Sequence, residues 1–128
     1  MKRVIFLVML LLLMVGCRQS QQEGEAGTAE LTIELMEPAA PTMSGDTEMV
    51  VRVTDAAGTA VDDATINIKG DMTHAGMMPV LANAAGGSDG LYAVPFAWTM
   101  TGDWVVTVRA TLLDGTWSEQ QFDLTVSE

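Results

Sequence analysis

From Glu30 onward, apolar and polar residues exchange places with a period of two. Leu31, Ile33 and Leu35 alternate with Thr32 and Glu34 until Pro38 and Pro41 stop the run. Met49, Val51 and Val53 alternate with Val50, Arg52 and Thr54, and Asp55 to Thr59 reads as a turn with Gly58 at a positive φ. Ile66 and Ile68 alternate with Asn67 and Lys69; Val80 and Leu81 suggest a short strand, followed by a small-residue loop from Ala84 to Gly90. Tyr92, Val94, Phe96 and Trp98 alternate with Ala93, Pro95 and Ala97, where Pro95 predicts an edge strand or a bulge. Trp104, Val106, Val108 and Ala110 form another series, Asp114-Gly115 is a hairpin signal, and Phe122, Leu124 and Val126 close the chain. No stretch beyond residue 17 carries a 3.6-residue period. About seven short alternating strands predict an all-β, antiparallel sandwich of immunoglobulin-like type. Without a Cys…Trp…Cys spacing, no disulfide pins it.

The N-terminus obeys different rules. Met-Lys-Arg precedes an apolar run from Val4 to Val15, and Gly16-Cys17 follows. A positive start, a run of about a dozen apolar residues and a small residue at the break form a secretory signal over residues 1–16. The run falls short of the roughly 20 residues that a membrane-spanning helix needs. Leu13-Met14-Val15-Gly16-Cys17 resembles the bacterial lipobox, which implies acylation at Cys17, with Met14 where that motif usually has Leu. Residues 17–29 hold no large apolar side chain and read as a flexible linker, reaching roughly 20 Å. The expected organisation is therefore a signal over 1–16, a lipidated tether over 17–29 and one folded domain over 30–128, held in the cell envelope by its lipid and facing the periplasm or extracellular side.

Removing the signal changes the charge balance. Four basic residues (Arg18, Arg52, Lys69, Arg109) then face seventeen acidic ones. Such a surface repels nucleic acid and anionic head groups, which excludes a nucleic-acid partner.

One segment stands apart from the strand pattern: Asp71-Met-Thr-His-Ala-Gly-Met-Met-Pro79. It holds the single histidine and three of the seven methionines beyond Cys17. If it enters as a strand, Met72 and His74 share a face roughly 7 Å apart, and Gly76 lets Met77 and Met78 fold back over them. Neighbours in a strand point oppositely, so one of Met77 and Met78 would serve and the other pack. Thioethers and an imidazole form a soft, neutral donor set that suits Cu(I) better than Mg, Ca or Mn. Cu(II) would prefer more nitrogen and oxygen than one imidazole offers, although Asp71 could add an oxygen. The domain has no thiol beyond Cys17, and thioethers and imidazole are not lost to disulfides outside the cytosol. Imidazole ligates only when neutral, so protons compete with metal in mild acid. Met36, Met43 and Met49 read as packing residues.

Asp55-Ala-Ala-Gly-Thr-Ala-Val61, then Ala64-Thr-Ile-Asn-Ile68, resembles a "D-x-x-G-x-x-V…A-x-V" segment of YtkA-like domains. Met72-Thr-His-Ala-Gly-Met-Met-Pro79 is similar to their Met-rich turn, and Gly90-Leu-Tyr92 with Phe96-Ala-Trp-Thr-Met-Thr-Gly-Asp-Trp104 resembles their "G-x-Y…M-x-G-x-W" tail. The resemblance covers about residues 30 to 126. It implies a small immunoglobulin-like fold akin to CopC-type copper-resistance domains, in secreted or lipid-anchored proteins associated with copper handling. It also brings in Met100, before the Gly102-x-Trp104 turn, as a metal ligand at the same end of the sandwich; as a residue, Met100 fits equally well as a core filler.

Catalysis finds little support. The single histidine has no Ser, Cys or second base at a recognisable spacing, and Gly86-Gly87 makes no phosphate loop. The chain is expected not to be an enzyme. Its expected role is to buffer Cu(I), or to pass it to a membrane protein such as an oxidase or efflux system. The alternative is a metal-free module that docks on an envelope complex.

Overall fold

The computed structural model describes residues 29–45 and 48–128. The signal over 1–16, the lipidation at Cys17 and nearly all of the tether lie outside the described residues. Seven strands follow one another: β1 (Leu31–Glu37), β2 (Glu48–Asp55), β3 (Thr65–Met72), β4 (Val80–Ala85), β5 (Leu91–Pro95), β6 (Gly102–Thr111) and β7 (Trp117–Val126). They form two antiparallel sheets, ordered β1-β2-β5 and β4-β3-β6-β7, and no helix occurs among the described residues. This is the all-β sandwich that the period-two pattern predicts.

The alternation sorts side chains between core and solvent. Met49, Val51 and Val53 from one sheet meet Ile66, Ile68, Val106, Val108 and Ala110 from the other, all essentially without solvent contact. Their polar neighbours Thr65, Asn67, Lys69 and Arg109 stand on the outer face. No polar or charged residue is buried among those described. The core is thus built almost wholly from apolar atoms, and its cohesion scales with the area that it removes from water.

Turn chemistry fixes the register. Asp55 Oδ1 accepts from the N–H groups of Ala57 and Thr59, both at 2.9 Å, while Gly58 takes φ 80°. In the β6–β7 hairpin, Asp114 Oδ1 accepts from the Thr116 hydroxyl at 2.6 Å and from its N–H at 2.9 Å. These two bonds, the hydroxyl first, hold the Asp114 carboxyl below its ordinary range. Pro95 indeed sits on an edge strand, because β5 is the last strand of its sheet.

Three local expectations need correction. β4 runs on to Ala85, into what reads as a loop from Ala84, because Ala84 and Ala85 continue the ladder opposite Ile66 and Thr65. Phe96 and Trp98 keep their inward alternation but lie beyond the end of β5. Met49 packs as expected, whereas Met36 and Met43 are each 40% exposed. For Met36 the cause is a register shift between Leu35 and Glu37, which leaves it unpaired in the ladder.

Tyr92 ties the two sheets together. It lies on β5, and its buried hydroxyl donates to the Val61 carbonyl at 2.6 Å and accepts from the Ala64 N–H at 3.1 Å, on the segment that leads into β3. Burial pushes its pKa above the usual 10.0; the Ala64 bond opposes the rise, and Asp62 and Asp63 add to it. A raised folded-state pKa favours the neutral phenol, so the stability it contributes is complete below pH 10 and fades above it, where the unfolded chain ionises first. Tyr92→Phe should cost about 1–3 kcal/mol in urea unfolding, since it leaves the Ala64 N–H without its acceptor. Because Tyr92 is the only tyrosine, this variant should also lose much of the wild-type decline in stability above pH 10.

Candidate metal centre

One end of the sandwich is built on aromatic rings. Trp104, on β6, is 1% exposed and lies opposite Met72 in the β3–β6 ladder. It meets Trp98 edge-on at 5.4 Å and Phe96 at 6.5 Å, and Phe96 meets Trp98 at 4.7 Å. The strand beneath must be bare for these rings to settle. Gly70 provides that: a Cβ there would lie 2.6 Å from Phe96 Cζ and 3.2 Å from Trp104 Cε3.

This cluster positions two of the expected ligands. Trp104 Nε1 donates to the Met100 carbonyl at 3.1 Å, which anchors the loop between β5 and β6. The loop ends at Gly102, with φ 122°, and a Cβ on Gly102 would sit 3.4 Å from the Met72 methyl carbon. Met72, the last residue of β3, therefore packs against the turn that carries Met100. Thr73 continues the contact by donating its N–H to the Asp103 carbonyl at 3.1 Å. Met72 is half-buried and Met100 is 45% exposed.

The other donors are arranged differently from expectation. β3 ends at Met72, so the two-residue strand repeat does not extend to His74. His74 and Ala75 instead enter an exposed turn closed by Gly76 at φ 85°. Neither Met77 nor Met78 packs in the core; the first is 40% exposed and the second 86%. Among the described residues no site joins His74 to the methionine sulfurs, and no three His, Cys, Asp or Glu side chains gather in a way that could hold a metal. What the fold supplies is a fixed pair of segments bearing Met72 and Met100, with His74, Met77 and Met78 on an exposed loop beside them.

A groove unforeseen from the sequence lies elsewhere, on the outer face of the four-stranded sheet. It encloses about 480 Å³ between Asn67, Lys69, Leu81, Asn83, Arg109 and Glu119. Arg109 bonds Glu119 at 2.8 Å and stacks 4.0 Å above the Trp117 ring. Asn67, Lys69 and Arg109 read in sequence as the outward alternates of their strands, and only cross-strand register brings the six residues together.

With this geometry in place, the comparisons decide the family. The family model described as YtkA-like matches residues 25–109, about two thirds of the chain. The chain belongs to the YtkA-like family. The match takes in β1 through most of β6, including the Met/His segment and the Met100 turn, and leaves β7 outside. Among solved structures, the filamin domain of Lin-41 superposes with a TM-score of 0.54 at 14% identity, over 77% of this chain and 93% of that one. At that identity the likeness shows the immunoglobulin-like fold alone. No curated protein matches the sequence significantly.

Packing at Gly70 should be the sensitive point of this end. Gly70→Ala forces Phe96 or Trp104 to move and should cost about 1–3 kcal/mol. Near-ultraviolet circular dichroism should change with it, because the rings that generate the signal lose their mutual geometry.

Proposed function

We propose that this YtkA-like domain is a lipid-anchored protein of the cell envelope that binds one copper ion as Cu(I) and buffers it or passes it to a membrane partner. The observation that carries the reading is the juxtaposition of Met72 and the Met100 turn at Gly102, beside a loop that offers His74, Met77 and Met78. Copper is cargo here, so an open arrangement suits the task. A fixed pair of thioether segments receives the ion, and an exposed donor loop completes coordination when copper is present. Neutral sulfur and imidazole donors match the soft monovalent ion, and no thiol of the folded domain competes. The acidic surface favours cations in general and keeps nucleic acid away. Cys17 would hold the domain at the membrane, close to an oxidase or efflux protein. We assign the chain no catalytic role.

The exposure of Met77, Met78 and Met100 also fits the metal-free alternative, in which this end docks on an envelope complex. Titration separates the two. All seven strands and the core lie within residues 29–128, so a chain that begins at Arg18 retains the folded domain. Titrated anaerobically with Cu(I) against a chromophoric chelator, it should bind one equivalent and quench tryptophan fluorescence, since Met72 and Met100 both border Trp104. His74→Ala should weaken binding by about a hundredfold or more, and Met72→Ala and Met100→Ala by about ten- to a hundredfold, at or beyond the range for outer-shell partners. Unchanged affinity in His74→Ala and Met72→Ala would overturn the copper reading and leave the docking module.

A further inference from the structure

Two open sheets leave four edges, and three of them are blunted. β1 carries Glu34, Glu37 and the bulge at Met36. β5 is five residues long and ends in Pro95. β7 carries Glu119 and Asp123; its Trp117 carbonyl accepts from the Ala29 N–H at 2.6 Å, and Ser127 just beyond it bridges to Thr42. Charge, proline, bulges and cover are the usual means of keeping edges from pairing. β4, Val80–Ala85, has no charge, internal proline or bulge, although the segment from Pro95 to Ala97 stands across a cleft from its first half. It pairs with β3 without a register shift, holds no charge and leaves Leu81 72% exposed.

The ladder shows which groups the edge presents. Gly86 N donates to Ala64 O at 3.3 Å. In an antiparallel ladder that phase makes Ala84, Ala82 and Val80 the residues that exchange bonds with β3, and turns the N–H and C=O groups of Leu81, Asn83 and Ala85 outward. Pro79, which has no N–H, ends the row on one side.

We propose that β4 pairs antiparallel with β4 of a second copy of this chain, about a two-fold axis at Asn83, to make one continuous eight-stranded sheet. Only this register uses the whole edge. Asn83 faces Asn83 of the copy, and Leu81 faces Ala85 of the copy at both ends, which gives about six main-chain hydrogen bonds. The pairing is self-complementary, as a two-fold interface requires. A large side chain meets a small one, and the two amides on the axis can bond each other. Charge is compatible with the same strand: the chain carries a formal −11, so copies repel, and β4 brings no charged side chain to the axis. The nearest outward charge, Lys69 opposite Leu81, is neutralised by Asp71 at 3.0 Å. This inference is independent of copper.

Sedimentation equilibrium of the chain from Arg18 should give twice the monomer mass at high protein concentration, with the dimer strengthening as salt screens the acidic surfaces. Asn83→Lys should return the mass to that of the monomer while keeping the wild-type circular dichroism. Geometry gives the sharper test. Across the axis Asn83→Cys places its α-carbons about 5.5 Å apart, within disulfide reach, and should cross-link under oxidised glutathione. Leu81→Cys lies about 13 Å from its own copy and should not. A chain that stays monomeric at all concentrations, or one whose Leu81→Cys variant cross-links as fast as Asn83→Cys, would overturn the pairing and leave β4 open to a strand of another protein.

Discussion

The packing of Trp104, Trp98 and Phe96 onto the bare backbone at Gly70 is the constraint on which this end of the sandwich depends. A sandwich made only of alternating Val and Ile would bury its middle and leave its ends loose. Here three large rings close one end, and they do so at the place where β3 and β6 leave the sheet. Edge-on ring pairs add about 0.5–1.5 kcal/mol each beyond the area that they bury. The cluster therefore holds the two chain exits in a fixed relation. The indole N–H of Trp104 then carries that rigidity outward into the Met100 loop. The cluster is not ideal, since Trp98 Nε1 is buried without an acceptor among the described residues, a cost of about 1–3 kcal/mol.

Rigidity stops at Met72. One residue later Thr73 still holds the Asp103 carbonyl, and beyond it the chain turns through Gly76 with its side chains in water. The contrast lies on the link between packing and dynamics: segments tied to buried rings stay put, while exposed turns with few apolar contacts open at little cost. Under the copper reading proposed above, that division suits transfer, because departure of the ion needs donors that can let go.

How much of this was legible in the sequence follows from the range of the forces involved. Alternation such as Ile66-Asn67-Ile68-Lys69 reports directly which side faces the core, so the strands, the edge position of Pro95 and the hairpin at Asp114-Gly115 could all be read locally. The end of β3 could not. Met72, Thr73 and His74 have no propensity that distinguishes strand from turn, and what stops the strand is the departure of its partner at Gly102, some thirty residues away in the chain. Ala84 and Ala85 erred in the other direction: small residues read as loop, yet the ladder with Ile66 and Thr65 carries them on as strand. The choice of Met72, His74, Met77, Met78 and Met100 came from donor chemistry and family likeness, and the sequence had no means of specifying the separation between them.

The same limit keeps the open edge of β4 out of any reading by alternation alone. A strand of Val, Leu, Ala and Asn looks unremarkable in a one-dimensional reading, and nothing in it marks an edge. Its meaning appears only by comparison with the other three edges, each of which carries a device that β4 lacks. An acidic chain could have placed a glutamate at Asn83 without disturbing the core, because the position is exposed. In a chain where acidic residues outnumber basic ones by 17 to 6, β4 and β5 are the edge strands without a charge, and of the two only β5 ends in a proline. Bare edges of that kind mark where a surface answers to something other than solvent.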